Sequence, residues 1–150
     1  MTKGAEMYLT GAKQFNLDAK GRLTLPADYR REMGEQVCLV PVNDALYGFT
    51  PDAHKAWVSS FFPNGFNPRK KDDVKLRRAL TSSTVTVEID SAGRVCVGKV
   101  RPEVRERLGL ERSVMVVGND DHFEVWDSAR WESVEKDFSE ELDSLMFEDE

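Results

Sequence analysis

Apolar and polar residues alternate around two points in the chain. Phe15 and Leu17 precede the first and Leu23 and Leu25 come after it; Val85, Val87 and Ile89 precede the second, with Val95 and Val97 after it. Period-two patterning predicts strands with one buried face. The alternation is broken by Asp18-Ala19-Lys20-Gly21-Arg22 in one case and Asp90-Ser91-Ala92-Gly93-Arg94 in the other, with Asp, Gly and Arg each displaced by 72. A break carrying Asp and Gly reads as a turn, so each stretch predicts strand–turn–strand. Gly21 and Gly93 supply the positive φ such a turn needs.

The segment after each turn repeats as well. Pro26 opens and Gly34 closes one short helical segment, as Pro102 and Gly109 do another. Proline at the first helical position and glycine past the last are the expected punctuation. The prolines are displaced by 76, so the second copy carries extra residues around Gly98-Lys99-Val100-Arg101. The β-rich runs Val37-Cys38-Leu39-Val40 and Val114-Met115-Val116-Val117 each lead through Asn-Asp into Leu46-Tyr47-Gly48-Phe49 or Phe123-Glu124-Val125-Trp126. Helices come next, from Pro51 to about Phe62 and from Ser128 to about Phe147, with Trp57 and Trp131 as expected core anchors. The expected fold is α+β, mostly β: two tandem repeats sharing one pseudo-symmetric barrel with flanking short helices. Residues 8–62 form the first repeat, 63–80 a connecting loop and basic helix, 81–131 the second repeat, and 132–150 a C-terminal acidic helix and tail. Either half alone would have only a marginal core.

Composition narrows the function. The 150 residues are 40% hydrophobic and 32% charged, which excludes collagen-like and wholly disordered chains. No apolar run approaches the roughly 18 residues that span a bilayer, and no secretory signal is expected at the N-terminus. Cys38 and Cys96 lack Cys-x-x-Cys spacing and are expected as buried, reduced thiols; His54 and His122 lie far apart and are expected at the surface or a helix edge. No metal site, no cofactor and no small-molecule substrate are expected, and the expected location is cytoplasmic. The net charge of −6 is uneven: residues 119–150 hold 13 acidic and 2 basic side chains, leaving residues 1–118 at +5. A mildly basic body with an acidic appendage is compatible with a polyanion partner, or with an ordinary protein bearing a solvated acidic helix.

The doubled Asp-x-x-Gly-Arg, above all Asp18-Ala19-Lys20-Gly21-Arg22-Leu23-Thr24-Leu25-Pro26, resembles the MraZ family, as does Val114-Met115-Val116-Val117-Gly118-Asn119 leading to Phe123-Glu124-Val125-Trp126-Asp127. The resemblance covers nearly the whole chain. It implies two repeats of the AbrB-like swapped-hairpin barrel. It further implies a nucleoid-associated, sequence-specific DNA-binding transcriptional regulator that forms ring-like homo-oligomers on repeated promoter boxes of division and cell-wall genes.

The motif has its own chemistry. Lys20 can act as a point charge on phosphate, while the Arg22 and Arg94 guanidiniums can fork onto phosphate or a guanine edge. Asp18 and Asp90, with Gly21 and Gly93, support the turns and can hold each arginine in one rotamer. Arg30 and Arg31, with Arg105 and Arg107, can add backbone contacts from the short helices. The alternative is an Asp–Arg surface pair that merely fixes a hairpin, worth about 0–1 kcal/mol when exposed. Doubling, the basic body and the resemblance together favour contact with double-stranded DNA. An antitoxin-like or scaffold module on the same barrel is the competing function. No nucleophile–base pair or phosphate loop supports an enzyme. The cluster Arg69-Lys70-Lys71 with Lys75, Arg77 and Arg78 can touch phosphate or pair with the acidic tail.

Overall fold

The computed structural model describes residues 7–147. The acidic tail expected at 148–150 lies outside them. Eight strands and five helices run in the order β1 (Ala12–Asn16), β2 (Arg22–Thr24), α1 (Ala27–Met33), β3 (Gln36–Val42), β4 (Ala45–Phe49), α2 (Pro51–Ser59), α3 (Lys71–Ser82), β5 (Val85–Glu88), β6 (Arg94–Cys96), α4 (Pro102–Leu108), β7 (Ser113–Gly118), β8 (Phe123–Asp127) and α5 (Ser128–Met146). The predicted short helices form where proline and glycine placed them: Gly34 closes α1 at φ +74° and Gly109 closes α4 at φ +71°. The α+β, mostly β class is therefore correct.

The expected pseudo-symmetric barrel does not close. Six strands form a sheet in the order β1-β7-β8-β4-β3-β5, and β2 with β6 forms a separate two-stranded ribbon. The expected strand–turn–strand order is present in both copies, but the two strands of each stretch do not pair with each other. β1 pairs with β7 and β5 with β3, whereas β2 pairs antiparallel with β6, the equivalent strand of the other copy. Each Asp–Arg turn thus joins an edge strand of the sheet to one strand of the ribbon. The physical reason is burial. Leu23 and Val95 are opposite one another in the ribbon and both are wholly buried, so together they roof the core between the sheet edges.

That core lies on one sheet face and collects Leu9, Leu25, Met33, Val37, Leu46 and Phe123 among others. The Tyr29 hydroxyl, reaching out of it, donates to the Thr10 carbonyl at 2.7 Å, and burial pushes its pKa up to about 12. The opposite sheet face is covered by α2 over β3 and β4 and by α5 over β7 and β8. Trp57 packs on Phe49 at 5.1 Å and Trp131 on Trp126 at 5.7 Å, anchoring the two helices at equivalent places. No described helix is long and apolar enough to cross a membrane.

Two sequence expectations change. Cys38 is buried, but Cys96 is half-exposed on the outer side of the ribbon; both are free thiols. His122 is not a surface residue: it is buried beneath the second helical layer, stacked on Tyr47 at 4.4 Å. Its Nε2 meets Glu124 Oε2 at 2.9 Å and its Nδ1 meets Asp121 Oδ1 at 2.8 Å. A carboxylate at each ring nitrogen favours the doubly protonated imidazolium. Glu124, buried on β8, also accepts from Asn119 Nδ2 at 3.0 Å and Trp126 Nε1 at 2.9 Å. Burial alone would lower the His122 pKa and raise that of Glu124. The hydrogen bonds outweigh it, so His122 stands above its ordinary 6.5 and Glu124 below its ordinary 4.5.

The pair sets a pH window. The raised His122 contributes stability fully below about pH 6.5 and loses it as pH climbs through its folded value. The lowered Glu124 contributes above about pH 4.5 and loses it as pH falls through its folded value. Urea unfolding followed across pH is therefore expected to show stability declining on the alkaline side of about pH 6.5, and His122→Gln is expected to flatten that decline. An identical alkaline slope in the variant would assign the dependence to other groups.

Candidate nucleic-acid interface

Each turn is organised by its aspartate. Asp18 Oδ1 accepts from the backbone N–H of Lys20 at 3.0 Å and of Arg22 at 2.8 Å, while Oδ2 accepts from Arg22 Nε at 2.6 Å. Asp90 repeats the set with Ala92 N at 3.0 Å, Arg94 N at 2.9 Å and Arg94 Nε at 2.9 Å. Accepting the backbone amide of its arginine is the chief reason each carboxyl is held below its ordinary 3.8, with the guanidinium adding to it. Both turns consequently keep their Asp–Arg geometry throughout the neutral range. Nε uses only one of five guanidinium donors, so the terminal nitrogens of Arg22 and Arg94 remain available for a forked acceptor.

The ribbon register brings the two arginines together. Arg22 is opposite Cys96 and Arg94 opposite Thr24, with buried Leu23 and Val95 between them. Side chains alternate across a strand, so Arg22, Thr24, Arg94 and Cys96 all leave the outer face. Diagonal positions of this kind are roughly 7–8 Å apart. From the sequence Thr24 was not singled out at all, and Cys96 only as a thiol expected to be buried. Their signal is there, two residues beyond each arginine, but it becomes legible only once β2 is known to pair with β6.

The two turns differ in what supports them. The Arg30 guanidinium, on α1 of the first copy, lies directly against Gly93 in the turn of the second. Arg30 and Arg31 also line an open groove of about 460 Å³ with Glu35, Ile89, Asp90 and Ser91. Lys20 is exposed at the tip of the first turn, and its carbonyl accepts weakly from the Cys96 thiol at 3.5 Å. At the first turn Gly21 instead meets the backbone of Gly98, whose N–H donates to the Gly21 carbonyl at 3.1 Å. The extra residues of the second copy form a single 3-10 turn, Val97–Lys99, at that place. Arg105 and Arg107 are engaged within the protein: Arg105 Nε donates to the Val100 carbonyl at 2.9 Å and Arg107 Nη1 to the Asn43 carbonyl at 3.2 Å.

This doubled arrangement has relatives. A family model described as "MraZ protein, putative antitoxin-like" matches residues 8–76 and again 80–147. The chain belongs to the MraZ family. It is 31% identical over 137 residues to the transcriptional regulator MraZ of Histophilus somni strain 129Pt, covering 86% of each chain. It is 34% identical over 140 residues to that of Corynebacterium jeikeium strain K411, covering 87% of this chain and 91% of the relative. The protein of the same name from Proteus mirabilis strain HI4320 is 32% identical over 128 residues, covering 81% of this chain and 80% of its own. The double match falls on the two copies that the MraZ-like turns mark out, and no cis peptide occurs in either among the described residues.

Because the two glycines have different neighbours, they answer differently to substitution. Gly21 is at φ +77° and an added Cβ would come within 2.9 Å of the Gly98 backbone, which cannot swing aside. Gly93 is at φ +80°, but its obstacle is the flexible end of Arg30. Gly93→Ala is expected to cost about the 1–2 kcal/mol of left-handed strain, with Arg30 displaced. Gly21→Ala is expected to cost more than that. Chemical denaturation of both variants checks the order, and equal losses would contradict the asymmetry.

Proposed function

We propose that this MraZ-family chain is a DNA-binding transcriptional regulator, in keeping with the names of its relatives. The outer face of the β2–β6 ribbon is its reading surface. One observation carries this: the register sets Arg22 and Arg94 on one face, each with its guanidinium aimed by a carboxylate. The major groove of B-DNA, about 12 Å wide, admits a two-stranded ribbon. The spacing of the two arginines corresponds to about two base-pair steps of roughly 3.4 Å. Arg22 and Arg94 then reach phosphate or guanine edges, Lys20 contacts phosphate beside the first turn, and Arg30 and Arg31 add phosphate contacts beside the second. Asp18, Gly21, Asp90 and Gly93 hold the turns.

The finer reading comes from the family resemblance: repeated short boxes upstream of division and cell-wall genes, ring-like self-association and association with the nucleoid. Repetition on both sides multiplies weak contacts, because one bound subunit raises the effective concentration of the next.

Salt dependence tests the reading. Each phosphate contact removed lowers the salt slope by about 0.9, and a lost base contact costs roughly 1–3 kcal/mol of discrimination. Arg22→Ala is expected to be the more damaging change, because Lys20 adjoins Arg22 whereas Ala92 adjoins Arg94. Arg94→Ala is expected to be milder. Melting temperature and DNA binding across a salt series are measured for both variants. A folded Arg22→Ala protein that keeps the parent's salt slope and box preference would overturn this function and leave Asp18–Arg22 as a structural staple.

A further inference from the structure

The two ends of the β2–β6 ribbon are built from different parts of the chain. Its strands are antiparallel, so the first turn, which leads into Arg22, and the second, which leads into Arg94, lie at opposite ends. At the second turn's end, β2 runs through Pro26 straight into α1, which sets Arg30 against Gly93 and Arg31 beside Asp90 and Ser91. At the first turn's end, β6 enters the 3-10 turn Val97–Lys99 instead, and α4 begins only at Pro102.

The start of α4 does not repeat the charge of α1. Its residue corresponding to Arg30 is Glu106, and the flanking Arg105 and Arg107 each hold a carbonyl within the protein, of Val100 and of Asn43. Arg101, just before the helix, has Glu103 at 3.5 Å. A cation for the first turn has to come from elsewhere.

The inserted residues of the second copy are seated on that turn. Gly98 N donates to the Gly21 carbonyl at 3.1 Å, and a Cβ on Gly98 would come within 2.7 Å of the Lys20 carbonyl. A Cβ on Gly21 would in turn meet the Gly98 backbone at 2.9 Å. Only glycine at both positions lets the two backbones approach so closely. Val97 and Val100, on either side of the insertion, are buried and fix it to the core. Lys99 follows Gly98, so its Cα is about 3.8 Å along the chain from this contact. It is exposed and has no salt-bridge partner among the described residues.

We propose that Lys99 is a phosphate contact of the reading surface, brought to the first turn by the residues that the second copy has in excess. Each turn then receives a cation from the opposite copy: the second from Arg30, the first from Lys99. A lysine ammonium is a point charge without the planar fork that reads a base edge. The contact therefore adds affinity and fixes register on the duplex without adding sequence preference. The inference rests on the β2–β6 ribbon being the reading surface and adds a residue to it.

Salt titration of exposed variants tests this. Lys99→Ala, Lys99→Arg and Arg22→Ala are compared with the parent between about 50 and 200 mM salt. Lys55→Ala is the control for lost charge, because α2 lies across the sheet from the ribbon. The probes are a duplex carrying the box recovered by selection from a random pool and a random-sequence duplex of equal length. Circular dichroism checks folding. Lys99→Ala is expected to have a salt slope shallower by about 0.9 on both probes, so that over this fourfold rise in salt it loses about 3.5-fold less affinity than the parent. The affinity ratio between the probes is expected to stay at the parent's value, and Lys99→Arg and Lys55→Ala to keep the parent's slope. A parental slope in Lys99→Ala beside a lowered one in Arg22→Ala would overturn the Lys99 contact and leave the reading surface standing. Parental slopes in both would overturn the reading surface and Lys99 with it. A changed ratio between the probes would make Lys99 a base contact, and an equal loss of slope in Lys55→Ala would reduce the effect to net charge; either result overturns the proposal.

Discussion

Everything else in this fold depends on a strand exchange between the two copies. β2 finds its hydrogen-bonding partner in β6 alone, and only across that pairing are Leu23 and Val95 removed from water. The glycine carbonyls reinforce the exchange: that of Gly93 accepts from Leu25 N at 3.0 Å, and that of Gly21 from Gly98 N at 3.1 Å. A single copy would leave a strand unpaired and the roof of its core missing, a state that backbone polarity and lost apolar burial both disfavour. Two repeats of modest size are thereby committed to one folding unit. The same pairing that completes the core also decides which side chains share the outer face.

The Asp–Arg pairs show why organisation and attraction have to be separated. An aspartate bonded to Arg22 or Arg94 cancels that arginine's charge at long range, so the pair contributes little to drawing in a polyanion. What it supplies is a fixed guanidinium whose remaining donors point outward, so less side-chain entropy is lost on contact. Attraction has to come from cations without a carboxylate beside them. Lys20 at the first turn and Arg30 at the second have no salt-bridge partner among the described residues. The position corresponding to Arg30 in the second copy, by the 76-residue displacement of the prolines, is Glu106. The face is therefore symmetric in its aimed groups and asymmetric in its attracting ones.

Local punctuation made most of the elements legible in the sequence. Pro26 with Gly34 and Pro102 with Gly109 bounded α1 and α4, and the Asp-to-Gly segments marked both turns, because these residues act on the few φ and ψ angles nearest to them. Strand partnership was not legible. Alternation at Leu23 and Leu25 looks the same whether β2 folds back on β1 or crosses to β6, since the pattern records burial and not the neighbour. That the barrel stays open was hidden for the same reason. Arg30 beside Gly93 is a contact between residues 63 positions apart, which no local signal encodes. His122 was expected at the surface or a helix edge, but while Phe123 and Val125 belong to the main core, the covering layer of α2 and α5 makes the other face an interior too, where His122 and Glu124 satisfy one another.

Net charge, finally, is the wrong quantity for judging a polyanion partner here. Charges more than about 10 Å apart are largely screened at 0.1 M salt, so a phosphate at the ribbon would respond most to the cations nearest it, Lys20, Arg30 and Arg31. Screening weakens as salt is diluted, and the net −6 then increasingly opposes approach. On the proposed reading, the cations of the two turns and α1 would govern the bound complex, and the acidic helix would act on encounter.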